Sequence, residues 1–98
     1  MARDGLAELE AFDAVFSALA HETRRHILVV INARGGQMAA GDIAKRFHHK
    51  WPTITRHLGV LRDAGLLRVE KRGRERIYHL ERSHLLGVTD GWLKWFRA

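Results

Sequence analysis

The sequence contains no cysteine. That absence removes a disulfide framework, thiolate metal sites and cysteine redox sensing together. It has one proline, and no Pro- or Ser-rich stretch, repeat or low-complexity segment that would divide it into two domains. No apolar run approaches membrane-spanning length. Met1-Ala2-Arg3-Asp4-Gly5 lacks the apolar core of a signal sequence. A cytoplasmic protein with no membrane partner is expected. Signatures of catalysis are missing too: there is no nucleophile elbow, phosphate-cradling glycine loop or metal-ligand motif. Gly35-Gly36 reads as a helix stop, and Glu8, Glu10 and Asp13 as a solvated face near a helix N-terminus, where carboxylates are favoured. Neither an enzyme nor a bound cofactor is expected.

What the chain does have is positive charge, and it is segregated. The 98 residues suit one domain, 1–98, with one core. The formal charge is +6. Residues 45–82 hold 11 Lys/Arg against 4 Asp/Glu, a local net of +7, whereas residues 1–44 hold 4 against 6, a net of −2. This separation implies a polyanion-binding face on a body of opposite balance.

The basic part is organised around one stretch. From Pro52 to Asp63, Ile54, Leu58 and Leu61 fall together at 100° per residue, an apolar stripe that must pack on something. Arg56 lies almost opposite, with Thr53 and Thr55 on the flanks. Such a small, polar, basic face suits a helix whose N-terminal half enters a DNA major groove. Gly65 then fits the left-handed position that ends a helix. In the next segment Leu67 and Val69, then Tyr78 and Leu80, alternate with polar residues, the two-residue period of half-buried strands. A Gly-containing turn joins them into a β-hairpin whose tip carries Lys71, Arg72, Arg74 and Arg76. Helix followed by basic hairpin is the winged helix-turn-helix arrangement.

The rest of the chain completes that plan. Leu9, Phe12, Val15, Phe16 and Leu19 mark a first helix over Leu6–Ala20. His21 opens a second, to Arg34, burying Ile27, Leu28, Val30 and Ile31. Its β-branched run needs packing to stay helical. Gln37–Ala39 is a candidate short strand added to the hairpin. Asp42 serves as N-cap or first turn of a third helix, Ile43–Phe47, and Pro52 suits the first turn of the next. Ser83 caps a last helix along which Leu85, Val88, Trp92 and Phe96 share one side, widened by Leu86, Leu93 and Trp95. Large aromatics anchor interfaces. The last helix, with the first, is therefore expected to form a homodimer seam, through Leu9, Phe12, Leu85, Val88, Trp92, Trp95 and Phe96; a helix folded back onto its own core is the alternative. The fold expected is mainly α with a small β-hairpin, in the order α-α-α-α-β-β-α.

Several segments together resemble the ArsR-type family of bacterial winged helix-turn-helix repressors: Phe16–Leu28, Asp42-Ile43-Ala44, Thr53–Leu67 and Gly73–Leu80. The Trp51-Pro52-Thr53 entry and the Trp92–Phe96 ending look closest to its metal-free, SdpR-like autorepressor branch. The resemblance implies a homodimer on an inverted-repeat operator of double-stranded DNA, with repression by occlusion. It implies base contacts from Thr53, Thr55, Arg56 and His57, and backbone or minor-groove contacts from Arg72, Arg74 and Arg76. Lys50, Trp51, Arg62 and Lys71 join them as candidate DNA contacts. Two departures stand out: His21-Glu22 where family members often carry Asp-Pro, and Lys50-Trp51 where many have a Ser cap.

The family often senses metals, so the seven histidines were weighed. No ligand pair occupies Met38–Asp42, where its thiolate site lies. His21 with His26, and His79 with His84, are five apart rather than the four of a helical metal pair. No metal is expected; an intersubunit site using His84 and Asp90 is the remaining alternative. Two functions stay open: a sequence-specific DNA-binding repressor, and a winged-helix module contacting protein or RNA.

Overall fold

The structure, a computed structural model, describes residues 3–97. Met1, Ala2 and Ala98 lie outside it, and with them part of the N-terminal stretch read above as lacking a signal core. The elements are α1 (Arg3–Leu19), α2 (Glu22–Ala33), β1 (Gln37–Ala39), α3 (Ala40–Ala44), α4 (Trp51–Asp63), β2 (Leu67–Arg72), β3 (Glu75–Leu80) and α5 (Arg82–Leu93), closed by a 3-10 turn over Lys94–Phe96. No helix among the described residues is long and apolar enough to cross a membrane.

The apolar spacing of the sequence places the core. Val15 and Ala18 of α1, Ile27 and Ile31 of α2, Ile43 of α3, and Ile54, Leu58 and Leu61 of α4 are fully buried together. Burial of such side chains contributes about 1.5–3 kcal/mol each, which holds the β-branched α2 helical. The strands make an antiparallel sheet of order β1-β3-β2. Tyr78 stands between Met38 and Val69 and covers one edge of the core. Arg72 pairs with Glu75, so the wing turns on two residues, Gly73 and Arg74. Gly73 has φ +62°, the positive value that a two-residue hairpin turn gives to glycine.

Helix ends settle the relative placement of the parts. Beyond α4, the Leu66 N–H donates to the Leu61 carbonyl (2.9 Å) and the Gly65 N–H to that of Arg62 (2.9 Å). This is a Schellman closure with Gly65 at φ +79°. It turns the chain straight from α4 into the wing, so the two stay in fixed relation.

The first helix starts at Arg3 rather than Leu6, and the bounds of α3 and α5 differ from expectation as well. The third helix begins at Ala40, because Ala39 is both the last strand residue and an extended N-cap. Asp42 therefore sits in its first turn, and Phe47 lies beyond its end. Ser83 does not cap α5. The Glu81 N–H is held by the Leu66 carbonyl at 3.0 Å, and the helix starts directly after it, with Ser83 already inside. Val88, expected at the seam, is a core residue.

Candidate nucleic-acid interface

The apolar stripe of α4 fixes which side of that helix is free. With Ile54, Leu58 and Leu61 buried, Trp51, Pro52, Thr55 and Arg56 are exposed and Thr53 half-buried. Lys50 is the N-cap residue, with extended backbone and no side-chain cap, and Pro52 lies in the first turn, where its missing N–H costs nothing. The Thr53 and Ile54 N–H groups both donate to the Lys50 carbonyl, at 3.0 and 3.1 Å, so the positive end of the α4 dipole lies beside Lys50 and Arg56, a favourable surface for phosphate.

Beside that head runs a cleft of about 710 Å³. Trp51 and Thr55 of α4, Gly41 and Lys45 of the α3 region, and Arg74 and Arg76 of the wing line it. Residues far apart in sequence thus share one face. Lys71, Arg74, Arg76 and Arg56 have no ion-pair partner among the described residues, so their charge is available to an anionic ligand. Arg72 is engaged differently. Its Nη2 and Nε donate to the two oxygens of Glu70, at 2.9 and 3.2 Å. His79 Nε2 lies 2.8 Å from the same carboxylate. These partners hold the Glu70 carboxyl below its ordinary range, Arg72 foremost and then His79. Arg62, at the far end of α4, lies 3.4 Å from Asp63 and outside the cleft. Lys45 was missed from sequence as a site residue. Its one signal was membership of the basic half.

His57 requires a correction. The resemblance implies a base contact from it, but it is 9% exposed and turned inward. Arg24 Nη1 donates to its Nδ1 at 3.4 Å, while Arg24 Nε and Nη2 bind the Ala18 and Ser17 carbonyls at the end of α1. The ring of His21 lies 4.4 Å from that of His57, and the ring of His49 6.4 Å away. Burial, first, and then the charges of His21, Arg24, His49 and Arg56 push the His57 pKa down. His21 itself caps α2, its Nδ1 accepting the Thr23 N–H at 3.2 Å. The departure from Asp-Pro is thereby met by another acceptor.

Of the expected seam residues, Phe12 and Leu85 are half-buried against the core, and Leu9, Trp92, Trp95 and Phe96 are exposed. Leu6, Val29, Leu86 and Leu93, absent from that set, are exposed large apolar side chains as well. His84 packs over the turn that ends α4. Its ring lies where a side chain at Gly65 would be, 3.0 Å from an ideal Cβ. Among the described residues no group of three His, Asp or Glu side chains is disposed to hold a metal ion.

Comparison with known proteins agrees with this geometry. A helix-turn-helix domain family matches residues 19–70. The transcriptional repressor SdpR of Bacillus subtilis (strain 168) is 38% identical over 79 residues, which cover 81% of this chain and 84% of that protein. A crystal structure of an ArsR family transcriptional regulator superposes with a TM-score of 0.81 at 30% identity, over 90% of this chain and 88% of the other. A homodimeric winged helix-turn-helix DNA-binding domain from Mycobacterium bovis, solved in solution, shares the fold at 21% identity, with a TM-score of 0.76 over 95% and 85% of the two chains. The chain belongs to the ArsR family of winged helix-turn-helix transcriptional regulators, which bind DNA and are not enzymes.

Proposed function

We propose that residues 1–98 act as one unit that pairs with a second copy through α1 and α5, binds an inverted-repeat operator and represses transcription by occupying it. The observation that carries this reading is the shared cleft. It brings Trp51 and Thr55 of α4 together with Arg74 and Arg76 of the wing, and the next α4 residue, Arg56, is exposed with no ion-pair partner among the described residues. The head of α4, through Thr53, Thr55 and Arg56, reads bases. Lys50, Lys71, Arg74 and Arg76 hold phosphates, and Arg72 serves chiefly to stiffen the wing through Glu70. Arg62 touches only flanking backbone.

Pairing is supported by the apolar surface on α1, α5 and the closing turn, where Trp95 is 75% and Phe96 69% exposed. The homodimeric Mycobacterium bovis neighbour has the same fold. The protein works in the cytoplasm and needs no metal, a reading supported by the missing cysteines, which leave no thiolate ligand. Titration of an operator duplex at concentrations above Kd tests the assembly. Saturation at two chains per duplex, with two protected stretches about 34 Å apart, is expected. Saturation at one chain would end the paired reading.

A further inference from the structure

The face of α4 opposite the DNA side carries a feature that DNA binding does not itself require. Three histidines and an arginine meet there from three segments: His21 ahead of α2, Arg24 on α2, His49 in the turn before α4, and His57 on α4. His49 Nε2 is 3.2 Å from the hydroxyl of buried Thr23, whose own N–H caps onto His21. Arg24 links the group to the end of α1. Among the described residues, the Arg24–His57 contact is the one side-chain hydrogen bond that reaches the inner side of α4, with His21 and His49 against the same ring.

We propose that His57 is a positioning residue for the recognition helix, and that its neutral ring, accepting from Arg24 beneath His21 and His49, is required for α4 to sit in its DNA-reading pose. The chemistry is one of acceptors. An arginine can only donate, so His57 Nδ1 must offer a lone pair and its proton sits on Nε2. Protonation removes that acceptor and sets a second cation against the guanidinium. The charged or titratable groups facing His57 are His21, Arg24, His49 and Arg56, with no carboxylate among them to offset the new charge. Acid therefore favours an α4 displaced from the core over the seated one, and DNA affinity falls with the seated population. The downward pKa of His57 agrees with this direction.

The proposal rests on α4 being the reading helix, and the test separates the two ideas. Backbone amide spectra of the free protein are recorded from pH 7.5 to 5.5, with the His57 ring followed in parallel, and duplex affinity is measured at each pH and constant ionic strength. The Thr55 and Arg56 amides should move with the His57 ring. Affinity should fall by up to about tenfold per pH unit, the ceiling for uptake of one proton. His57→Gln, which keeps an acceptor for Arg24 and cannot titrate, should hold its pH 7.5 affinity and lose that fall. If His57→Gln does not fold, His21→Asn retains the α2 cap, removes one neighbouring charge and should show a smaller acid loss than wild type. Parallel affinity curves for wild type and the folded variant, or wild-type affinity that rises on acidification, overturn the proposal. Amides that titrate with His57 in a protein that binds no specific duplex would leave the positioning intact and remove α4 as the reader.

Discussion

The rings of Phe16 and Trp92 meet edge to face, 5.3 Å between centroids, and join the first helix to the last. Phe12 lies 6.4 Å from Phe16, and Phe96 4.9 Å from Trp92, so an aromatic row runs from α1 to the closing turn. Trp92 is nevertheless 43% exposed. One part of its ring packs on Phe16 and the rest is open, the surface proposed for the seam. Trp92→Ala should therefore lower stability, the ring pair alone contributing about 0.5–1.5 kcal/mol, and shift the dimer towards monomer in light scattering. Trp95→Ala separates the two effects. Exposed, with only Lys94 over its ring at 5.5 Å, Trp95 should affect association and leave unfolding almost unchanged. Intact dimers in both variants would contradict a seam on α5.

Arg56 and Arg74 are assigned different tasks, and salt distinguishes them. Arg56→Ala should weaken operator binding by about 1–3 kcal/mol and relax base preference, with little effect on nonspecific affinity. Arg74→Ala should weaken binding to every duplex and reduce the salt slope by about one. Arg72→Ala should do less than Arg74→Ala, since Glu70 already occupies its guanidinium. Unchanged binding in the first two would place the reading surface elsewhere.

Gly65 ends α4 at φ +79°, and a Cβ there would also stand 3.0 Å from the His84 ring. Gly65→Ala should cost at least about 1–2 kcal/mol from the backbone alone. Paired with His84→Ala, part of the loss should return, because the steric share disappears and the backbone share does not. Denaturant unfolding of the two single variants and the double variant measures that coupling. Strict additivity would show that His84 exerts no pressure on the turn.

Stability should fall as the solution is acidified, in two steps. The folded protein holds the His57 pKa below its ordinary 6.5, chiefly by burial and then by the cations around it. The unfolded chain thus binds that proton first. The His57 contribution is complete above 6.5 and is lost as pH falls through the folded value. Glu70 is held below its ordinary 4.5 by Arg72 and then His79. Its contribution is present above 4.5 and lost as pH falls through its own folded value. Urea midpoints from pH 7.5 to 3.5 should decline throughout, with the upper step flattened in His57→Gln and the lower in Glu70→Gln. A constant midpoint between pH 7.5 and 5.5 would contradict the burial of a neutral His57.

Some of this was readable from the chain because local periodicity and turn chemistry decide it. Ile54, Leu58 and Leu61 could only share a face, Gly65 could only close a helix, and the alternation around Gly73 could only pair. Even the short β1 strand was visible. His57 was not. It lies about 60° from Ile54 on the wheel, at the edge of the stripe, and the family resemblance made it a base contact. Its fate rests on Arg24, 33 positions earlier, which no local pattern reports. Ser83 misled in the same way. The start of α5 is set by the Leu66 carbonyl holding Glu81, a contact between distant strand ends. The aromatic excess was legible but pointed to a seam between copies; that Phe16 and Trp92 meet within one chain, with Val88 in the core and Trp95 at the surface, needed the packed fold.

The central claim is that α4 and the wing together read a specific duplex. Selection from random double-stranded DNA, followed by affinity against salt concentration, tests it most directly. The account predicts enrichment of an inverted repeat with half-sites one turn apart, bound in the nanomolar range with a steep salt slope. An unenriched pool with only salt-sensitive, sequence-indifferent binding would contradict it, and would return the basic face to an RNA or acidic protein partner.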